Sequence, residues 1–83
     1  MIRSRAGLQR LELVRQILSL EIARAAKGLS HKQLTEMTGA SSPELSELIH
    51  GKLKRFTIDR ILLVLFALGK KAIIRIEDEG NAL

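Results

Sequence analysis

The chain of 83 residues is predicted to form an all-α domain of four to five helices, followed by one C-terminal β-strand. Three observations support this fold class. Complete helix start signals recur along the chain, and apolar residues repeat at three- and four-residue steps. Glycines that suit helix ends follow the apolar stretches, at Gly28, Gly51 and Gly69. At this length the chain is expected to form one small domain.

The first helix is predicted over residues 8–27. One face carries an apolar stripe that we expect to pack in the core: Leu11, Val14, Leu18, Ile22 and Ala25. Leu13, Ile17 and Leu20 form a second apolar line on another side, and a helix with two apolar faces usually has two partners. Another chain could cover this line, or the N-terminal segment could fold back over it. Residues 1–7 are predicted to be a flexible basic arm rather than a transit peptide, because the helix pattern runs on into the domain.

The most specific stretch is residues 29–51, which predicts two short helices joined by a tight turn. Ser30 can cap the first of them with Gln33 at the reciprocal position, and Ser41 can cap the second with Glu44. The predicted helices cover residues 31–38 and 42–50, and only residues 39–40 connect them. So short a connection allows two short helices to cross steeply, which is the helix-turn-helix arrangement.

The C-terminal third predicts a fourth helix and a strand that together form a dimer interface. Thr57 caps this helix, which ends at Gly69 and is apolar on both sides. Residues 71–77 alternate as in a strand, and a lone strand needs a partner, which a second copy can supply across a two-fold axis. The domain is therefore expected over residues 8–69 and the strand with an acidic tail over residues 70–83. The predicted interface consists of Leu62, Leu63, Phe66, Ala72, Ile73, Ile74, Arg75 and Ile76.

Charge and composition favour a binder of nucleic acid over an enzyme. Residues 1–76 hold all 14 Lys and Arg against six acids, a balance of +8, although a basic surface that serves only solubility is an alternative. The chain lacks cysteine, a glycine-rich phosphate loop and paired carboxylates outside its acidic tail, so we expect no catalysis, cofactor or metal site. The longest apolar run has eight residues, whereas a membrane-spanning helix needs about 20.

Several short motifs carry a resemblance to a known family. They are Leu29-Ser30, Gln33-Leu34, Thr38-Gly39, Leu45-Ser46, Gly51-Lys52, Phe56 and Phe66-Ala67-Leu68-Gly69. Over residues 15–69 the chain resembles the Xre/Cro-type, lambda-repressor-like helix-turn-helix family. Residues 42–46, 51–53 and 56–59, with the strand after the last helix, resemble its compact HigA-type antitoxin and small-regulator branch.

The resemblance implies a cytoplasmic, nucleoid-associated regulator of bacterial type. Its implied partners are double-stranded DNA with a near-palindromic operator, a second copy of the chain in a homodimer, and a cognate toxin if the protein is an antitoxin. The neighbouring gene would separate a lone repressor from an antitoxin. The alternative is a protein-interaction module that neutralises a toxin and has little specific DNA binding, because the implied recognition helix carries two glutamates and no arginine.

In this family the third helix enters the major groove, while the start of the second helix and the loop after the third contact phosphates. Glu47 could accept a hydrogen bond from a cytosine amino group or simply be solvated, and Pro43 could contact a thymine methyl. Glu44 is preferred as the capping partner of Ser41. The DNA-binding residues implied for the start of this helix and its outward side are Ser41, Ser42, Pro43, Ser46, Glu47 and His50. Those implied for phosphate are His31, Lys32, Lys52, Lys54 and Arg55.

Overall fold

A computed structural model describes residues 5–78, and within this range the regular elements are four α-helices. They are α1 (Arg5–Ala26), α2 (His31–Thr38), α3 (Ser42–Ile49) and α4 (Ile58–Ala67). The bounds of α2 are those predicted, and α3 ends one residue early with His50 as its C-cap. Helix α1 begins three residues earlier than predicted, so residues 5–7 of the predicted arm belong to its first turns. The rest of that arm, residues 1–4, and the end of the acidic tail lie outside the described residues.

The three later helices begin where side chains satisfy free backbone N–H groups. The Ser30 hydroxyl accepts from the Gln33 N–H at 3.1 Å, and the Gln33 side chain accepts from the Ser30 N–H at 2.9 Å. Ser41 and Glu44 form the same reciprocal pair at 3.3 and 2.9 Å. Thr57 caps α4 by accepting from the backbone N–H at position 60, at 3.2 Å. Both predicted capping boxes are therefore present.

The core lies between the C-terminal half of α1 and the other three helices. Helix α1 packs against α3 and α4, and α2 packs against the same two helices. Helix α4 contributes Ile61, Val64 and Leu65 to the core, together with its C-cap residue Leu68. The other buried apolar residues of the core are Ile22, Ala26, Leu34, Ala40, Leu45, Leu48, Leu53 and Phe56. Because α3 buries Leu45 and Leu48 completely, its opposite side is left for other contacts.

The predicted core stripe of α1 is wrong in its N-terminal half. Ile22 is buried, and Leu18 and Ala25 pack against the core, but Leu11 and Val14 are 45% and 44% exposed. The first turns of α1 extend along the loop before α4, where Leu8 and Leu11 only line an open groove with Lys54 and Phe56. The periodicity identified an apolar face, but within residues 5–78 only the C-terminal part of that face is packed against other helices.

The strand predicted over residues 71–77 is not found. Residues 70–78 have no helix or strand, and Ile73, Ile74 and Ile76 are 75–86% exposed. A strand exists only when another strand satisfies its backbone groups, and the described residues contain none that could. The strand and its pairing across a dimer stay predictions about two copies of the chain.

Candidate nucleic-acid interface

The turn between α2 and α3 is fixed by backbone conformation and by one side chain. Gly39 has a φ of 73°, a left-handed conformation that ends α2 and that glycine adopts without strain. The Thr38 hydroxyl donates to the Leu34 carbonyl at 2.7 Å and accepts from the Ala40 N–H at 3.1 Å. Ala40 is buried in the core, and this packing fixes the direction in which α3 begins after the turn.

The side of α3 opposite the core carries the residues that the sequence assigned to base contacts. Ser42, Pro43, Ser46 and His50 are exposed, whereas Glu47 is partly buried. The His50 Nδ1 donates to the Ser46 carbonyl at 2.7 Å, so in the neutral ring Nε2 is an acceptor. The Ser41 hydroxyl already accepts a hydrogen bond as the cap of α3, which makes its first role structural.

Both glutamates of α3 have arginine partners from outside the helix. Glu47 pairs with Arg55 in the following loop, and Glu44 lies 3.7 Å from Arg60 in α4. Hydrogen bonds from Ser41 lower the pKa of Glu44 below its ordinary value of 4.5, and the charges of Arg60 and Arg55 add to the effect. The acidic character that the sequence indicated for this helix is therefore largely compensated by arginines. One of them, Arg60, was not among the site residues predicted from the sequence.

Three polar side chains of α1 hold the C-terminal end of α3 and the loop after it. Arg15 donates to the carbonyl of Leu53, Gln16 donates to that of Gly51 at 3.3 Å, and Ser19 donates to that of Leu48. Gly51 has a φ of 75°, a left-handed conformation that glycine adopts without strain. A Cβ there would lie 2.9 Å from the Gln16 Oε1, so another residue at this position would also displace the Gln16 side chain. These contacts were not predicted from the sequence, although polar residues on the core side of an apolar helix were a signal.

The residues assigned to phosphate contacts lie on the surface on either side of α3 along the chain. His31 and Lys32 are exposed in the first turn of α2, where backbone N–H groups have no helical partners. Lys52, Lys54 and Arg55 are exposed in the loop that follows α3. The structure thus presents all five predicted phosphate-binding residues to solvent, and of these only Arg55 has an ion-pair partner described above.

Two other kinds of site are not found in the part of the chain that the structure describes. Across residues 5–78, no cluster of three His, Asp or Glu side chains is arranged to hold a metal ion. Within the same residues, no helix has both the length and the apolar character needed to cross a membrane.

Two short helices joined by a tight turn, with the second one exposing a polar side, define a helix-turn-helix protein. A family model described as a helix-turn-helix domain matches residues 4–77, and the chain belongs to this family. No curated protein and no solved structure matched the chain. In helix-turn-helix proteins that bind DNA, the second helix of the motif lies in the major groove, and α3 is that helix here.

Proposed function

We propose that the protein is a sequence-specific, DNA-binding transcriptional regulator of the Xre/Cro type that acts in the cytoplasm, with α3 as its recognition helix. The observation that carries the proposal is the division of α3 into two sides. One side buries Leu45 and Leu48 in the core, and the other exposes short polar side chains that can reach base edges. Exposed cations precede and follow this helix, at the positions where helix-turn-helix proteins contact phosphates.

The regulator is proposed to act as a homodimer. On α4, Leu63 and Phe66 are 60% and 44% exposed and Leu62 is partly exposed, so this side of the helix has no cover within the described chain. The exposed isoleucines of residues 73–76 follow it directly. A two-fold dimer would place two recognition helices about 34 Å apart, so the operator is expected to be a near-palindrome.

Repression is the simplest role for such a dimer, because binding at an operator blocks access to it. An antitoxin of the HigA type that represses its own operon is the second candidate, and one observation favours it. Leu13, Ile17 and Leu20 are 56–63% exposed on the side of α1 opposite the buried Ile22. Such a line is suited to a partner protein, as a toxin would be, and it is separate from α3.

Selection of bound sequences from a random DNA library tests the proposed function. The purified protein should enrich a near-palindromic site, and its affinity for that site should exceed its affinity for random DNA by at least about 10³. The affinity for random DNA should fall steeply with salt, because it rests on phosphate contacts. A protein that enriches no sequence would contradict specific readout, and one that binds partners but not DNA would leave the protein-interaction module as its function.

A further inference from the structure

Glu47 and Arg55 form an ion pair that joins the outward side of α3 to the loop after it. The side chain of Glu47 is 34% exposed and that of Arg55 is 58% exposed, so the pair lies at the surface that faces DNA in the proposed function. The Arg55 guanidinium also lies over the Phe56 ring, 5.3 Å from its centroid. Phe56 is buried, so the ring is a fixed support. Arg55 therefore has two partners in its own chain.

The ion pair between Glu47 and Arg55 competes with the contacts that each residue would make with DNA. Arg55 cannot give its full charge to a phosphate while it neutralises a carboxylate, and the carboxylate itself is repelled by phosphates. As long as the pair is closed, the loop attracts DNA less strongly than its three cations suggest. This reduction applies to every DNA sequence alike, unless a base supplies Glu47 with another donor.

We propose that Glu47 is a specificity-determining residue that acts through Arg55 by an exchange of partners, an inference that rests on the proposed function. On a site that presents a cytosine amino group, the Glu47 carboxylate accepts from that amine, and Arg55 turns to a neighbouring phosphate. On other sequences no donor replaces Arg55, so the pair stays closed and the loop loses one phosphate contact. Specificity then arises from a penalty on wrong sequences.

A double-mutant cycle tests the exchange, with Glu47→Gln, Arg55→Ala and the double variant. Each protein is titrated by fluorescence anisotropy against a random-sequence duplex and against the duplex that the wild type selects from a library. On random DNA, Glu47→Gln should raise affinity about fivefold and steepen the salt dependence by about one ion. Arg55→Ala should lower the affinity for random DNA by less than about twofold in the wild type but by about fivefold in the Glu47→Gln background.

On the selected duplex the exchange predicts different changes in affinity for the same substitutions. Arg55→Ala should weaken binding of the wild type about fivefold there, because the arginine has been released to a phosphate. Glu47→Gln should lower the ratio of selected to random affinity by at least about fivefold, since it removes the penalty on wrong sequences.

A second surface pair in the same chain provides the control. Glu21 and Arg24 lie 3.0 Å apart on α1, and their side chains are 43% and 76% exposed. Glu21→Gln changes the net charge of the protein as Glu47→Gln does, but away from the recognition helix. Glu21→Gln and Arg24→Ala should leave the ratio of the two affinities unchanged, and thermal unfolding of every variant checks that it folds.

Two outcomes would overturn the exchange while the protein still binds DNA specifically. One is an Arg55→Ala cost on random DNA that is equal in both backgrounds, which would show that Glu47 does not withhold the arginine. The other is a Glu47→Gln variant with weaker binding to random DNA, which would show that the carboxylate only orients Arg55. Absence of any binding by the wild type would instead remove the proposed function, and the exchange with it.

Discussion

Ser19 connects α1 to the recognition helix, and its removal should measurably destabilise the domain. Ser19 is 2% exposed, and its hydroxyl donates to the Leu48 carbonyl in the last turn of α3. In Ser19→Ala that carbonyl keeps backbone contacts, with the Gly51 N–H at 3.5 Å and with the N–H of the C-cap His50. Loss of a donor to a buried acceptor costs about 1–3 kcal/mol, and the remaining backbone contacts favour the lower part of this range.

Alanine also has a higher helix propensity than serine, which returns about 0.5 kcal/mol. The net loss in the free energy of unfolding is therefore about 1 kcal/mol. For a domain of this size, that corresponds to a Tm lower by about 4–8 °C.

Thermal unfolding followed by circular dichroism tests this expectation. All proteins must be measured at one concentration, because the Tm of the proposed dimer would depend on it. Ser46→Ala is the matched control, since Ser46 is an exposed serine within α3 and its replacement changes helix propensity alone. The control should melt at or slightly above the wild-type temperature. A Ser19→Ala protein that melts together with this control would refute the proposed anchoring of α3 by Ser19.

Three further predictions concern the dimer, the exposed line on α1 and the pH dependence of stability. By sedimentation equilibrium at micromolar concentration, the intact protein should be a dimer and a version ending at Gly69 should dissociate more readily; a monomeric intact protein would contradict the proposed assembly. Ile17→Asp should leave the Tm within about 2 °C of wild type, because Ile17 is 56% exposed, but should abolish binding of any partner protein that uses this line; retained binding would exclude it. Because the pKa of Glu44 is lowered by folding, its contribution to the free energy of unfolding is present above about pH 4.5 and is lost as pH falls through the folded-state pKa. Glu44→Gln should therefore be less stable than wild type near pH 7, and the difference in the free energy of unfolding should narrow in acid. A difference that stays constant with pH would count against a stabilising role of the Glu44 carboxylate.

The features that the sequence predicted correctly are those decided by neighbours along the chain. The capping boxes at Ser30 and Ser41, and the two-residue turn between α2 and α3, depend on residues three positions apart or fewer. Such patterns place side chains next to specific backbone N–H groups regardless of the rest of the fold. The outward side of α3 was also predicted correctly, because the nearby Leu45 and Leu48 determine which side of this short helix is buried.

The features that the sequence did not predict depend on contacts between distant segments. The Ser19 hydroxyl reaches the Leu48 carbonyl 29 residues away, and Glu47 meets Arg55 only because the intervening loop folds back. Nor does periodicity tell which apolar face of a helix will be covered. Leu11 shares the stripe of Ile22, yet only Ile22 has other helices packed over it.

The pairing of both α3 glutamates with arginines has a consequence for how the proposed regulator binds. Because Arg55 and Arg60 are occupied, the cations most available to phosphates next to α3 are the lysines at 52 and 54, with Lys32 in α2. Few uncompensated cations give a single domain weak affinity for DNA. Two domains held by a dimer interface double the number of contacts and gain from effective concentration, so that useful affinity arises only where both half-sites are present. A regulator built in this way therefore depends on the exposed apolar side of α4 for its specificity as much as on the bases that α3 contacts.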